Sequence, residues 1–129
     1  MIGIVLAAGG GTRLRPLTDE RPKTDLQVDG DRSILELAIA NLAPHVDEVV
    51  VVVGHAAGVI ELQTPVLADR YEVTIDLVHN PRHADANNAY SLWLARDRFA
   101  RGALLVNGDT VHPGSVERAL LDVDDAADV

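Results

Sequence analysis

Hydrophobic and polar positions along the chain fall into two alternating patterns. Short apolar runs at residues 3–7, 48–53 and 103–106 are rich in Val, Ile or Leu and too short for typical helices, so they predict buried parallel strands. Residues 73–78 alternate Val73, Ile75 and Leu77 with Thr74 and Asp76, which predicts a half-buried strand nearer a sheet edge.

Between these runs the spacing becomes helical. Ser33 and Glu36 have capping-box spacing, in which a hydroxyl and a carboxylate satisfy the free N–H groups of a helix start. Ile34, Leu35, Ala38, Ile39 and Leu42 then supply one apolar face before Pro44. A second helix follows Gly54 and is expected to be interrupted near Pro65. A third begins at Asn87 or Asn88 and is expected to turn Leu92, Trp93, Ala95 and Phe99 largely inward, with Trp93 and Leu94 in the core. A fourth starts around Ser115. Alternating strands and helices predict an α/β sheet with right-handed crossovers.

Composition narrows the class. At 47% hydrophobic and 24% charged residues, the 129-residue chain reads as one globular domain, residues 1–129, and not as a disordered or fibrous segment. It has no cysteine, which excludes disulfides and thiolate chemistry. No apolar run reaches the ~18–20 residues needed to span a bilayer, and no basic segment precedes Met1-Ile2-Gly3; the expectation is a soluble, cytoplasmic protein without a membrane partner. A net charge of -9 repels polyphosphate at long range, which argues against nucleic acid as a partner. Any phosphate site must therefore be local. The acidic tail, residues 122–128, reads as a solvated end.

One stretch stands out against this acidity. The first strand runs through Leu6 and Ala7 into Ala8, Gly9, Gly10, Gly11 and Thr12, where consecutive glycines let the backbone turn sharply and bring N–H groups close to an anion. A dinucleotide fingerprint would need glycine where Leu14 stands, and a Walker A loop would need Gly-Lys-Ser/Thr, which occurs nowhere in the chain. Arg13, Arg15 and the chain's single lysine, Lys23, follow directly, while Pro16 and Pro22 keep the stretch from forming one regular helix. Arginine's fork grips phosphate oxygens, and lysine supplies a compact charge where negative charge moves in phosphoryl transfer. The competing reading is a surface loop whose cations pair with Asp19 and Glu20.

Asp109, presented after Asn107-Gly108 at the end of a strand, can hold a hard cation such as magnesium, which usually takes one or two protein carboxylates plus phosphates. Asn-Gly is equally a strong hairpin signal. With the strands ordered 3-2-1-4, the glycine loop and Asp109 open into one crevice at the point where chain direction reverses.

The stretch LAAGGGTRLRPLTDERPK, Gly30 after it and the later LLVNGDT together resemble the signature of the sugar-nucleotidyltransferase superfamily, enzymes that transfer a nucleoside monophosphate from an NTP to a phosphorylated substrate. The resemblance implies a Rossmann-like, mostly parallel sheet with helices on both faces. It also implies that residues 6–12 wrap the nucleotide, Arg13 binds the triphosphate, Lys23 contacts phosphates at the reacting centre, and Asp109 is a magnesium ligand. The Asn-Asn-x-Tyr-Ser-Leu-Trp-Leu core at residues 87–94 is similar to the phosphocholine cytidylyltransferase branch, where this segment lies over base and acceptor. Asn87, Asn88 and Ser91 offer donors and acceptors to a pyrimidine edge, although the asparagines also suit helix capping. The implied substrates are an NTP, in this branch CTP, and a small phosphorylated alcohol or a phosphonate. A sugar 1-phosphate uridylyl- or thymidylyltransferase and a noncatalytic nucleotide-binding module are the alternatives. Catalytic domains of this family are longer, with a second magnesium carboxylate, so the chain is expected to be incomplete at its C-terminus or completed by a partner chain, a homodimer included.

Two details depart from the family. Thr24, Asp25, Leu26 and Gln27 follow Lys23 in place of the usual small or apolar residues, and strand-like alternation would put Asp25 on the lysine's face, weakening phosphate binding. The histidines show no metal spacing, since Pro81 separates His79 from His83; His112 is a candidate at the acceptor side.

Overall fold

A computed structural model describes residues 1–123, so the acidic cluster beyond Val123 lies outside the described residues. Four strands form one parallel sheet: β1 (Ile2–Ala7), β4 (Glu48–Val53), β5 (Thr74–His79) and β6 (Ala103–Asn107), in the order β5-β4-β1-β6. This is the 3-2-1-4 order expected from the sequence. Register pairs Val5 with Val51 on one side and Val106 on the other. A short antiparallel hairpin, β2 (Gln27–Asp29) with β3 (Arg32–Ser33), turns at Gly30 in the left-handed region and was not foreseen. Its three-residue arm is too short to show a period.

Helices cover both faces, so every residue of β1 is buried. On one face Val5, Ala7, Val49, Val51 and Val53 pack under α1 (Ile34–Leu42) and α2 (Ala57–Tyr71). On the other, Ile2, Ile4, Leu6, Val50 and Val52 meet Ala95, which follows α3 (Asn88–Leu94). The last helix among the described residues is α4 (Ser115–Leu121). Among the described residues no helix is long and apolar enough to cross a membrane.

α1 starts as predicted, with the Ser33 hydroxyl accepting from Glu36 N at 3.1 Å, a cap of about 1 kcal/mol. The reciprocal half of the capping box does not form. Glu36 is buried and accepts instead from Arg70 and from the Tyr71 hydroxyl at 2.9 Å, tying α1 to the end of α2. Burial, and then this carboxylate, push the Tyr71 phenol above its ordinary pKa.

Other expectations are corrected. α2 does not break at Pro65 but runs through it. The proline has no N–H to give the preceding turn, yet Ile60 before it and Leu67 after it are both buried against the sheet, which holds the two halves on one axis. β6 is not fully buried: among the described residues it lies at the sheet edge with β1 as its one neighbour, and Leu105 remains 49% exposed. Trp93, expected in the core, is 52% exposed, and Phe99 also reaches the surface. The indole finds its partners on its own helix surface, stacking on Tyr90 at 5.7 Å with the Arg96 guanidinium 3.9 Å over its ring. Leu94 is half-buried.

Candidate functional site

The site lies at the carboxyl ends of β1 and β6. Leaving β1, the chain passes through Gly9 and Gly10 to Gly11, whose backbone is left-handed (φ 60°, ψ 33°), and enters a single turn, Thr12–Leu14. Neither Gly9 nor Gly10 has neighbouring atoms that would meet a Cβ closely, so the loop leaves open space in front of its backbone. Leaving β6, Gly108 N–H continues the ladder by donating to Leu6 O at 2.9 Å. A Cβ at Gly108 would overlap that carbonyl, so glycine here serves close backbone approach and not a hairpin. Among the described residues β6 has no antiparallel partner.

These two strand ends open into one crevice of about 120 Å³, lined by Leu6, Ala7, Gly9, Gly11, Lys23, Thr24, Asn88, Gly108 and Asp109. Two motifs about a hundred residues apart thus share a site. Its volume is well below the ~300–1,000 Å³ of typical small-molecule sites. Lys23 Nζ stands 3.7 Å from Asp109 Oδ2 at the mouth. Cation and carboxylate neutralise one another there, and both are accessible.

The lysine is presented by a tight turn, Lys23–Asp25, which corrects the expected strand-like alternation. At about 120° per residue, two steps along such a turn point Asp25 away from Lys23. Asp25 is buried, accepts from Gln63 on α2 and sits 3.4 Å from Arg21 Nε. Its carboxylate anchors the lysine turn and does not compete with an anion in the crevice.

Not every predicted residue reaches the crevice. Ala8 packs its methyl into the core beneath the loop. Thr12 and Arg13 are exposed on the turn beside the crevice, outside its lining, and Arg15 pairs with Asp19 at 3.6 Å. Asn87 caps α3, its side-chain oxygen accepting from Ala89 N at 3.1 Å and Tyr90 N at 3.4 Å. Asn88, one residue on, is the asparagine that lines the crevice. Ser91 is a correction: it is buried and accepts from Asn80 Nδ2 at 2.9 Å, so its hydroxyl braces the segment before α3 and does not face a ligand. His112 contacts the buried Glu117 and does not line the crevice. Thr24 also lines the crevice, a role that a lone threonine after a lysine does not signal in sequence.

Asp109 is one carboxylate, and among the described residues no group of three His, Cys, Asp or Glu side chains could hold a metal. That donor set fits a hard cation that takes one or two protein carboxylates and completes its shell with phosphate oxygens and water.

A parallel α/β sheet with a glycine loop and a lone carboxylate at its switch point defines a Rossmann-like domain with a crevice at the carboxyl ends of its strands. The nucleotidyl transferase family model matches residues 2–128, and the chain belongs to that family. It is 36% identical over 106 residues to choline-phosphate cytidylyltransferase of Streptococcus pneumoniae, covering 81% of this chain and 43% of that protein. It is 34% identical over 103 residues to 2-aminoethylphosphonate cytidylyltransferase of Lancefieldella rimae, covering 80% and 40%. The solved inositol-1-phosphate CTP transferase of T. maritima superposes with a TM-score of 0.77 at 26% identity, covering 96% of this chain and 49% of that one. The chain thus spans less than half the length of these relatives.

Proposed function

We propose that this chain carries the nucleotide-binding part of a cytidylyltransferase that moves CMP from CTP to a small phosphorylated alcohol or a phosphonate and releases pyrophosphate. The observation that carries the reading is the convergence of Lys23 and Asp109 at 3.7 Å on the mouth of a glycine-walled crevice. The nucleotide is the part of the substrate pair these residues suit best. The 2-aminoethylphosphonate and choline-phosphate enzymes both take a compact acceptor bearing a phosphorus oxyanion, which favours that class here.

Such an acceptor is already ionised near neutral pH, so transfer needs no nucleophilic side chain. Its oxygen forms a bond to the α-phosphorus of CTP as the bond from that phosphorus to the bridging oxygen breaks, and pyrophosphate departs with the electron pair. Positioning and charge neutralisation are what the protein contributes. Backbone N–H groups of residues 9–11 cradle phosphate oxygens, Lys23 supplies a compact positive charge beside them, and Arg13 grips the triphosphate from the adjoining turn. Asn88, supported by Asn87, meets the base edge at the rim. Asp109 is the residue that would hold magnesium, which would supply neutralisation of triphosphate charge.

The test is a matrix of four NTPs against phosphocholine, 2-aminoethylphosphonate and sugar 1-phosphates, read as pyrophosphate release with and without magnesium. The expected result is release with CTP and a phosphocholine or phosphonate acceptor only when magnesium is present. Release with UTP or dTTP and a sugar 1-phosphate would move the chain to the sugar-activating enzymes. Metal-dependent NTP binding without release under any acceptor would mark a binding module.

A further inference from the structure

The glycine loop is held from behind by two residues that do not line the crevice. Gly11 O accepts Leu14 N–H at 2.9 Å and, at 2.6 Å, the hydroxyl of Thr18. Thr18 is only 1% exposed, although its neighbours Leu17 and Asp19 face solvent. It fills the space that Gly11 leaves: a Cβ on Gly11 would meet Thr18 Cγ2 at 2.8 Å. Thr18's own carbonyl lies 2.6 Å from His55 Nε2. A carbonyl only accepts, so Nε2 carries the proton of this bond. The backbone N–H of His55 donates to Ala8 O at 3.3 Å. Gly54 lets the backbone before His55 pass this close, since a Cβ there would come within 2.5 Å of His83 Cβ and 2.9 Å of Ala8 O.

A single residue just past β4, His55, therefore grips the chain both before the glycines, at Ala8, and after them, at Thr18. We propose that Thr18 and His55 are positioning residues that hold the glycine loop in its anion-ready shape before a ligand arrives. Preorganised N–H groups lose little freedom on meeting a phosphate, which raises affinity without a contact from either side chain. The inference rests on reading residues 9–11 as the phosphate cradle.

The experiment compares the unmodified protein with Thr18→Val, Thr18→Ser, His55→Ala and His55→Gln. Thr18→Val keeps the shape and removes the donor; Thr18→Ser keeps the hydroxyl, and the glutamine Nε2 can replace the imidazole donor. Amide hydrogen exchange of the ligand-free proteins is read at Leu14, whose N–H bonds to Gly11 O, and at β4 as a control for global stability. CTP affinity in magnesium is measured on the same samples.

Thr18→Val and His55→Ala are expected to speed exchange at Leu14 about tenfold with β4 unchanged, and to raise the CTP dissociation constant about tenfold, the scale of one lost hydrogen bond. Thr18→Ser and His55→Gln are expected to restore both. Unchanged exchange at Leu14 in both deletion variants overturns the proposal, as does faster exchange with unaltered CTP affinity. If Thr18→Val fails to fold, His55→Ala, at a half-buried side chain, decides the outcome. Failure of the unmodified protein to bind any NTP refutes the nucleotide reading, while Leu14 exchange still reports whether the clamp holds the loop.

Discussion

Lys23→Ala and Asp109→Ala are each expected to lower turnover by about 10²–10³-fold, the scale of removing one preorganised electrostatic partner of a reacting group. Both side chains stand at the crevice mouth, 33% and 57% exposed, and their ion pair spans 3.7 Å. An exposed pair of this kind contributes about 0–1 kcal/mol to stability, so neither variant should unfold earlier in denaturant by more than that. The combination is diagnostic. A purely structural pair would move rate and stability together and weakly; a catalytic pair loses rate and keeps the fold. Lys23→Arg is not expected to rescue, because the planar guanidinium cannot replace a compact ammonium between phosphates. Steady-state pyrophosphate release, paired with denaturant titrations of the same samples, makes the measurement.

Gly108→Ala is expected to damage both the fold and the site. The added methyl would overlap the Leu6 carbonyl oxygen and approach Thr24 Cγ2 to 2.6 Å. Leu6 O is backbone, and it accepts Gly108 N–H at 2.9 Å, so it cannot swing aside as a side chain would. The end of β6 must instead lift from β1. Overpacking of this kind costs about 1–3 kcal/mol, and the displaced strand end carries Asp109 away from Lys23. CTP affinity should fall with stability, whereas Gly9→Ala, where nothing lies within 4 Å of the new methyl, should spare stability. Native stability in Gly108→Ala would show that the close approach of β6 to β1 is not what shapes the crevice.

Much of this was legible in the residues. Valine-rich runs announce strands buried on both faces, and residues 48–53 are assigned to β4 with the same bounds in the structure. The glycine loop and Asp109 could be joined because the expected 3-2-1-4 order sets the first and last runs side by side, and that order is observed. What stayed hidden depends on neighbours that a one-dimensional pattern does not contain. Asp25 looked like a defect beside Lys23 until the turn carried it to Gln63. Ser91 offered the right chemistry for a base edge, but Asn80 claims it from a strand end eleven residues earlier. Trp93 fits an inward helical position, yet Tyr90 and Arg96 cover its ring at the surface. Pro65 breaks helices by local rules, which burial of Ile60 and Leu67 overrides.

The central claim is that the glycine loop and the end of β6 form one nucleotide site. Amide chemical shifts of the isotope-labelled protein, titrated with CTP and magnesium, test it most directly. The amides of Gly9, Gly10, Gly11, Gly108 and Asp109 are expected to shift together along one saturable curve, with Asn88 moving at the rim. Shifts confined to the 410 Å³ cavity beside Arg32, Asn41 and His112, or a loop that responds without Gly108 and Asp109, would contradict it.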